Sequence, residues 1–379
     1  MNHQVVGILE LQQNGSAVVR DPARNFAARR GDPVLSARQV QSLRLRGGEL
    51  IEASVNGRAR PDESQPVREV ARINGLSAAD YAALPPLTEL TVVDPRETIR
   101  LETGNEPLTT RVIDLMTPIG KGQRGLIVAP PRSGKTVLLQ QIAHAVRKNH
   151  PEVLLMMLLV DERPEEVTEM RRSVCADGSG WSAGKPEVVW SSNDQNAVNH
   201  LRIARLMIER ARRMVETGRE VLILLDSLTR LSRAFNSSMG SSGRTMTGGL
   251  DINALSEPKA MFGAARKIEN GGSLTIIASV LVETGSRMDD FIFQEYKGTG
   301  NMELVLNREI ANLRIWPAID LQQSGTRKEE LLLDRDALPK IYRLRRRLAP
   351  MPPLGQVQTL LRELDRHPTN AEFLAAMAS

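Results

Sequence analysis

Between residues 106 and 379, short and almost entirely apolar segments alternate with segments of helical periodicity. The apolar segments span Gly125–Ala129, Val153–Val160, Val221–Leu225 and Leu274–Leu281, and the helical ones include Lys135–Lys148 and Ala197–Thr217. Strands that are apolar throughout are buried on both faces, which is typical of a parallel sheet covered by helices. We therefore predict an α/β fold, in which ligands bind at the carboxyl ends of the strands.

The first 75 residues have a different pattern. Short apolar stretches are separated there by the turn pairs Asn14-Gly15, Gly47-Gly48 and Asn56-Gly57, which predicts a small antiparallel β domain. The next stretch contains Pro85-Pro86 and Pro95 and is typical of a connector. We expect three parts: a β domain over residues 1–75, a connector over 76–105 and an α/β domain over 106–379.

Composition narrows the class of protein. The 379 residues are 41% hydrophobic and 25% charged, as in soluble globular proteins. The single cysteine, Cys175, excludes a disulfide within the chain and a cysteine-based metal cluster. The longest apolar run, Val153–Val160, is too short to span a bilayer, and the start MNHQVVGILE has no secretory pattern. We expect a cytoplasmic protein with no membrane partner.

The charge distribution leaves two interpretations of the β domain open. The net charge is +5, too small an excess to require a polyanionic partner. Residues 20–60 nevertheless carry nine arginines against four acidic residues. Such a stretch is either a solvated basic face or a surface that binds a polyanion, and the sequence favours neither.

The loop after the first core strand has the sequence APPRSGKT, at residues 129–136. This is the P-loop pattern with alanine in place of the usual first glycine, and it lies between a strand and a helix. Backbone N–H groups and the positive end of the helix dipole then point at one place, which suits a phosphate. A plain strand-to-helix turn is the alternative. We expect nucleotide contacts from Pro131, Arg132, Ser133, Gly134, Lys135, Thr136 and Val137.

Lys135 would reach the β- and γ-phosphates, and the Thr136 hydroxyl would bind Mg²⁺. Two carboxylates follow the next core strands. Glu162 is expected to orient and activate a water, although an acid there could instead cap the following helix. Asp226 comes directly after the apolar run Val221–Leu225. This pattern matches the second signature of nucleotide triphosphatases, whose acid holds Mg²⁺ directly or through water.

Eight longer segments occur in the order GLIVAPPRSGKT, LLVDERPEEVTEM, DSLTRLSRAFN, GGLDINAL, FGAARKIENGGSLTIIA, ETGSRMDD, KGTGNMEL and PAIDLQQSGTRKEELL. Together they resemble the bacterial transcription termination factor Rho family, whose members are ring-forming, RNA-dependent ATPases of the RecA type. The resemblance is dense over residues 106–340 and thinner over the first 75, which align with the family's OB-like RNA-binding domain. It implies a RecA-like P-loop NTPase core with a parallel sheet, preceded by a small OB-like β-barrel.

The resemblance implies roles for residues of the nucleotide site. Lys135 takes the place of the phosphate-binding lysine and Glu162 that of the catalytic carboxylate. Arg163 belongs to the same active-site motif as Glu162. Asp226 takes the place of the acid on the metal side, and Arg230 follows it in the motif.

Three further residues are implied to act at the border between subunits. Arg327 corresponds to the family's arginine finger, which reaches the ATP of the neighbouring subunit. Arg314 lies at the same interface. Trp316 takes the position of an aromatic residue on the adenine ring, with ordinary core packing as the alternative.

An RNA channel is also implied. The Gly- and Ser-rich loop over residues 236–249 and the loop over 283–288 take the positions that line the ring's central channel and grip single-stranded RNA. Each loop has one cation, which suits contacts with phosphates rather than with bases; simple disorder is the alternative. The expected RNA contacts are Arg244, Thr247, Gly248, Arg287 and Lys297.

The sequence departs from the family in both domains. Ser16–Val19 occupies the place of aromatic residues that stack on pyrimidines, and Phe26 is the only aromatic residue among the first 75. Stacking contributes roughly 1–3 kcal/mol per base, so we predict a weak primary RNA site that binds through arginines. In the core, Arg132, Arg244 and Arg287 stand where the family usually has lysine.

Three functional hypotheses follow. The first is an ATP- and Mg²⁺-dependent RNA translocase in a homohexameric ring, which releases nascent RNA from the RNA polymerase elongation complex. The second is a divergent paralogue that binds nucleotide and assembles in rings as a regulator, without RNA recruitment of its own. The third, a rotary ATP synthase subunit, shares the fold but does not explain the glycine-rich loops.

Overall fold

The computed structural model describes residues 2–56, 63–175, 185–238, 249–251 and 253–377. Its first strands are β1 Asn2–Leu11, β2 Ala17–Arg20, β3 Pro33–Leu35, β4 Leu50–Asn56 and β5 Gln65–Ile73, with helix α1 at Ala37–Ser42. These strands close into a barrel in the order β1-β2-β3-β5-β4, in which β4 pairs with β1. Closure leaves no strand edge exposed in the barrel.

The barrel confirms the predicted β domain but corrects one pairing. Gly15 has a φ of +80° in the turn that joins β1 to β2, and these two strands are antiparallel. The strands β3 and β5, however, run parallel to each other. The expectation of an entirely antiparallel domain is therefore wrong. The parallel pair is possible because α1 and β4 lie between these strands in the chain, so no tight hairpin joins them.

The other strands are β6 Val92–Val93, β7 Arg124–Ala129, β8 Val153–Glu162, β9 Glu187–Ser192, β10 Glu220–Asp226, β11 Arg266–Ile268, β12 Ser273–Leu281, β13 Met302–Val305 and β14 Gly325–Thr326. The other α-helices are α2 Ala78–Ala82, α3 Leu108–Met116, α4 Lys135–Asn149, α5 Pro164–Val174, α6 Ala197–Glu216, α7 Leu228–Ser238, α8 Ser256–Phe262, α9 Arg287–Lys297, α10 Arg308–Asn312, α11 Ala337–Leu348, α12 Pro353–Asp365 and α13 Asn370–Ala376. Short 3₁₀ helices occur at Pro22–Arg24, Leu87–Glu89 and Glu329–Leu331.

The main sheet has the order β14-β13-β7-β12-β10-β8-β9. The six strands from β13 to β9 are parallel, and β14 pairs with β13 in the antiparallel direction. Separate buried clusters cover the two faces of this sheet, as the uniformly apolar strands predict. The carboxyl ends of β7, β12, β10 and β8 therefore meet at one edge of the sheet.

The four predicted core strands and both predicted helices are present, with small shifts of their ends. The strand β8 is longer than predicted because it continues through Asp161 to Glu162, with an irregular register between Val160 and Glu162. The strands β9 and β13 were not predicted. Both are short and mix polar with apolar residues, so neither has the uniform apolar run that marks the central strands.

The barrel packs directly on the α/β domain. The side chains of Ile8, Phe26 and Leu50 belong to the same buried cluster as strands β8, β10 and β12. Gly48, with a φ of +86°, lies against α6 so closely that a Cβ would be 2.3 Å from the backbone nitrogen of Arg210. The two domains therefore meet in a shared apolar core at their junction, and the barrel also has a separate core of its own.

Polar contacts complete this junction. The Asn25 side chain donates to the backbone oxygen of Trp190 at 2.7 Å and accepts from its N–H at 3.0 Å. The guanidinium of Arg202 donates to Glu10 at 3.2 Å and to the backbone oxygen of Phe26 at 3.0 Å. Because backbone and charged groups of both domains are paired, their relative position is fixed by more than apolar contact.

Candidate functional site

The loop between β7 and α4 has the geometry of a phosphate cradle. Gly134 precedes the helix with a φ of +88°, and no side chain caps the first N–H groups of α4. The buried Ser133 hydroxyl donates to the backbone oxygen of Pro130 at 2.7 Å. This hydrogen bond stabilises the conformation of the loop. The uncapped N–H groups and the helix dipole are therefore free to bind an anion.

Lys135 brings the three principal side chains of the site together. Its ammonium lies 2.5 Å from an oxygen of Asp226 and 3.4 Å from an oxygen of Glu162. Both carboxylates are buried, and the lysine side chain is 15% exposed. These residues follow three different elements of the fold, so the sheet edge, rather than sequence proximity, creates the cluster.

Asp226 has a further partner that the sequence did not reveal. The Ser279 hydroxyl of β12, the strand between β7 and β10, donates to Asp226 Oδ1 at 2.7 Å. A buried serine near the carboxyl end of a central strand is the signal that could have identified it, because a buried hydroxyl needs a partner. Ser279 and Lys135 bind the same oxygen of the carboxylate and so fix its position.

The charges of the cluster shift its proton affinities. Burial, together with repulsion from Asp226, raises the pKa of Glu162 to about 8, against the attraction of Lys135 and Arg230. Burial alone would lower the pKa of Lys135, but Asp226 and Glu162 outweigh it and raise the pKa. Lys135 therefore stays charged, whereas Glu162 can gain or lose a proton near neutral pH.

Arg230 and Arg163 lie beside this cluster in different ways. The Arg230 guanidinium is 3.4 Å from Glu162, and it donates to the backbone oxygen of Asp161. Arg163 is exposed, at the residue that precedes α5. The structure thus brings Arg230 to Glu162 and leaves the side chain of Arg163 in solvent.

Trp316 is at the edge of the loop rather than in the core. Its side chain is 44% exposed. A Cβ at Gly134 would lie 2.4 Å from the indole ring, so the ring rests on the backbone of the loop. The neighbouring Thr136 is half-buried and Val137 is 54% exposed. An exposed aromatic face beside a phosphate cradle fits a stacked base better than core packing does.

The structure does not bring Arg314 or Arg327 to the lysine cluster. Both side chains are exposed, and Arg314 has a φ of +59°. Arg327 follows β14, at the sheet edge, and its N–H donates to the backbone oxygen of Asn301 at 2.9 Å. Among the residues that the structure describes, neither arginine forms an ion pair with Glu162 or Asp226.

The predicted RNA contacts are only partly described. Arg244, Thr247 and Gly248 lie outside the described residues. Arg287 is the exposed first residue of α9, and Lys297 is its exposed last residue. A rise of 1.5 Å per residue places them about 15 Å apart along the helix axis.

An ion pair that the sequence did not predict joins α9 to the nucleotide site. The Arg233 guanidinium binds the buried Asp289 through two hydrogen bonds, at 2.8 and 2.6 Å. Arg233 is on α7, the helix that begins just after Asp226, and Asp289 is two residues after Arg287. The pair therefore links the helix beside the carboxylates to α9, the helix that begins at Arg287 and ends at Lys297.

The surface of the barrel offers no aromatic ring for base stacking at the positions singled out from the sequence. Ala17 and Val19 are buried, and Ser16 and Val18 are half-buried on the opposite face, as alternation along a strand requires. The Phe26 ring is buried in the shared core, so no base can stack on it. The barrel face therefore lacks aromatic residues at the Ser16 and Val18 positions.

The nine arginines of residues 20–60 do not form one free basic face. Arg20 is buried between Glu10 and Asp32, and Arg46 pairs with Glu216 of α6 at 2.9 Å. Arg24 pairs with Asp21 at 3.1 Å, and Arg58 and Arg60 lie outside the described residues. The exposed arginines of the described part are Arg24, Arg29, Arg30, Arg38 and Arg44.

Neither a metal-binding cluster nor a membrane-spanning helix occurs in the described part of the chain. No group of three or more His, Cys, Asp or Glu side chains there could hold a metal ion. None of the described helices is long and apolar enough to cross a membrane.

Comparison with known proteins assigns both domains. Residues 5–79 match the Rho termination factor RNA-binding domain, and residues 109–326 match the nucleotide-binding domain of the ATP synthase alpha/beta family. The chain resembles an ATPase of the type III secretion system of pathogenic bacteria with a TM-score of 0.63 and 22% identity, over 84% of this chain and 93% of that one. This structural likeness supports the RecA-like fold.

Full-length relatives are closer in sequence. The transcription termination factor Rho of Aquifex aeolicus is 49% identical over 380 aligned residues, which cover 98% of this chain and 84% of that protein. The Rho protein of Cereibacter sphaeroides is 47% identical over 374 residues, or 98% of this chain and 86% of that protein. Since identity at this level extends across both domains, the chain belongs to the transcription termination factor Rho family.

Proposed function

We propose that the protein is an ATP-hydrolysing RNA translocase that terminates transcription by releasing nascent RNA. The observation that carries this proposal is the cluster of Lys135, Glu162 and Asp226 at the carboxyl edge of the sheet, in a chain that also has a Rho-type RNA-binding domain. A protein that only bound nucleotide would not need a carboxylate buried 3.4 Å from the phosphate-binding lysine.

The site fits ATP and Mg²⁺. Gly134 has no side chain that would fill the cradle beneath Trp316, and the N–H groups of α4 have no competing cap. Lys135 and residues 131–137 would hold the phosphates, and Trp316 would stack on the base. Thr136 and Asp226 supply the hard oxygen ligands that Mg²⁺ prefers. When bound, the metal neutralises charge on the phosphates.

Around the bound nucleotide, Glu162, Arg230 and Arg163 would have different roles. The ionised form of Glu162 can accept a proton from a water molecule, and its raised pKa of about 8 makes that form a stronger base than an ordinary carboxylate. Arg230 contacts Glu162 and Asp161 and so fixes the direction in which the carboxylate points. Arg163, exposed beside them, would meet the phosphates or the neighbouring subunit.

The assembly and partners follow from the family. We infer a homohexameric ring in which Arg327 and Arg314 act on the nucleotide of the adjacent copy. Arg287, Lys297 and the loop with Arg244, Thr247 and Gly248 would contact single-stranded RNA in the channel. The target is the RNA polymerase elongation complex, in the cytoplasm. The division into a barrel at 1–75, a connector at 76–105 and a motor at 106–379 stays a prediction.

RNA-stimulated ATP hydrolysis tests the proposal. The purified protein is expected to hydrolyse ATP slowly alone and many-fold faster with single-stranded RNA, and to release transcripts from stalled RNA polymerase. A regulator without RNA recruitment would show no stimulation, and a rotary ATP synthase subunit would hydrolyse ATP at a rate independent of RNA. Either result would contradict the proposal.

The barrel is expected to bind RNA weakly and without base preference. Ser16 and Val18 offer no stacking surface, and the exposed arginines contact phosphates. Binding of short oligo-C and oligo-A should therefore be similar and should fall steeply with salt, because each phosphate contact releases a counterion. The measurement is fluorescence anisotropy at two salt concentrations. It uses the full chain, because an isolated barrel would expose Ile8, Phe26 and Leu50.

A pair of double variants provides the control for the barrel. Replacing Ser16 and Val18 by phenylalanine should create a preference for oligo-C, at roughly 1–3 kcal/mol per stacked base. Replacing both by leucine adds similar bulk without a ring and should create no preference. Tight, salt-tolerant binding of oligo-C by the unmodified protein would show that another surface reads bases.

A further inference from the structure

A row of three polar residues crosses the sheet edge that carries Arg327. Asn301, just before β13, receives the N–H of Arg327 on its backbone oxygen at 2.9 Å. On its other side, its N–H donates to the backbone oxygen of Arg124, and its side-chain oxygen accepts the Arg124 N–H at 2.8 Å. Arg124, Asn301 and Arg327 therefore occupy matching positions on neighbouring strands.

The register of the sheet places their side chains on one face. Met302 pairs with both Gly125 and Thr326, so the preceding row joins Arg124, Asn301 and Arg327. Opposite residues on neighbouring strands point to the same face, and successive residues alternate. Two strand spacings of about 4.8 Å separate the ends of the row by roughly 10 Å, which is within the reach of two arginine side chains toward a common ligand.

Arg124 carries a charge that no acidic group balances. Its Nε donates to the backbone oxygen of Thr299 at 3.0 Å and its Nη1 to that of Ala265 at 3.3 Å. Both acceptors are neutral. Within the described ranges no carboxylate lies within ion-pair distance of Arg124, and its Nη2 donates no hydrogen bond. The guanidinium is thus held in position with donors to spare.

The surroundings add positive charge. Arg124 and Arg266 line one cavity of about 860 Å³ together with the cations Arg96 and Lys267, which outnumber the two acids there, Asp94 and Glu269. Burial lowers the pKa of Arg266, and the neighbouring Arg212 and Arg124 lower it further. Arg266 donates only to the backbone oxygen of Ala264 in the described structure. A bound anion reduces the repulsion between neighbouring cations, so a cluster of cations favours an anionic ligand.

We propose that Arg124 is a second arginine that contacts the phosphates of the nucleotide bound by the neighbouring subunit, beside Arg327. This inference rests on the proposed function, since it requires that Arg327 acts across a subunit border. It adds to that border Arg124, which is on a different strand from Arg327, and the cavity that Arg124 lines. A nucleotide phosphate supplies an anion for the guanidinium of Arg124, whose described acceptors are two neutral backbone oxygens.

The first test is the turnover of ATP at saturating RNA. Arg124→Gln keeps a donor for the backbone contacts but removes the charge, and it should lower kcat about 10- to 100-fold, as expected for a lost hydrogen bond to a charged group. Arg124→Lys should retain part of the turnover. Arg346→Gln, at an exposed arginine on α11, is the matched control and should not change it. An unstable Arg124→Gln is replaced by Arg124→Met in the same assay.

The second test separates action across the border from action within one subunit. Arg124→Gln subunits are mixed with Lys135→Ala subunits, and ring assembly is verified. Where a Lys135→Ala copy presents its intact Arg124 to the nucleotide of an Arg124→Gln copy, one complete site results. Turnover above the sum of the two separate variants is therefore expected.

The outcomes distinguish this inference from the proposed function. If Arg327→Ala mixed with Lys135→Ala recovers turnover but Arg124→Gln does not, Arg124 acts within its own subunit and the inference is wrong, while the ring mechanism stands. If neither mixture recovers turnover, both the inference about Arg124 and the proposed action of Arg327 across the subunit border are wrong. If Arg124→Gln lowers only RNA affinity, with normal kcat at saturating RNA, the cavity binds the RNA backbone and the inference is also wrong.

Discussion

Replacing Lys135 by alanine is expected to abolish ATP turnover while the fold stays intact. The ammonium contacts both carboxylates, at 2.5 Å from Asp226 and 3.4 Å from Glu162, and it would be needed to hold the phosphates. Its loss leaves two buried acids without their main partner. Because the pKa of Glu162 is already about 8, this group can take up a proton. The neutral carboxyl then leaves no unpaired buried charge that would destabilise the fold.

The measurement is steady-state ATP hydrolysis at saturating RNA, together with circular dichroism and thermal unfolding. Lys148→Ala is the matched control, because Lys148 is in the last turn of the same helix and contacts only the backbone oxygen of Thr103. It should leave turnover unchanged. Hydrolysis by Lys135→Ala near the parent rate would show that residues 129–136 are a plain turn and not a phosphate site.

Arg327→Ala is expected to lower turnover by about 10³- to 10⁵-fold, the range known for arginines that complete a phosphoryl-transfer site. Arg327 is exposed and forms no ion pair with Glu162 or Asp226 in the described structure. Its effect must therefore come from a site outside its own lysine cluster. Nucleotide affinity should change much less than kcat, since the arginine would act on charge that develops during the reaction.

Mixed rings of Arg327→Ala and Lys135→Ala subunits should recover part of the turnover, because some borders combine an intact lysine site with an intact arginine. Lys328→Ala is the matched control: Lys328 is the next residue, and its ammonium pairs with the exposed Asp94 at 2.8 Å. Mixed rings that stay inactive despite verified co-assembly would show that Arg327 acts within one subunit.

The sequence was sufficient to predict the parts of the molecule that follow simple periodic rules. Uniformly apolar runs identified the central strands, and the octapeptide at 129–136 located the phosphate loop. Glu162 and Asp226 could be placed beside it because they follow parallel strands, whose carboxyl ends share one edge. Short strands of mixed polarity, such as β9 and β13, carry no comparable signal.

Other features depend on which segments meet in space. Ser279 approaches Asp226 only because β12 lies between β7 and β10, and this strand order is not readable from local pattern. The burial of Arg20 by Glu10 and Asp32 turns part of a basic stretch into structural ion pairs. Phe26 is the reverse case: an aromatic residue in an RNA-binding domain became a core residue. In each case tertiary contact decided a role that composition left open.

The close seating of Gly48 on α6 has a mechanical consequence. A domain on a flexible tether could swing, and the length of RNA between barrel and channel would then vary from moment to moment. Here the barrel and the motor meet in a shared core at their junction, so the described part of the chain places no flexible tether between them. If an RNA strand were held at both sites, a pull on it during hydrolysis would reach the barrel without being absorbed by a flexible linker, and even weak phosphate contacts there would resist the movement of the RNA.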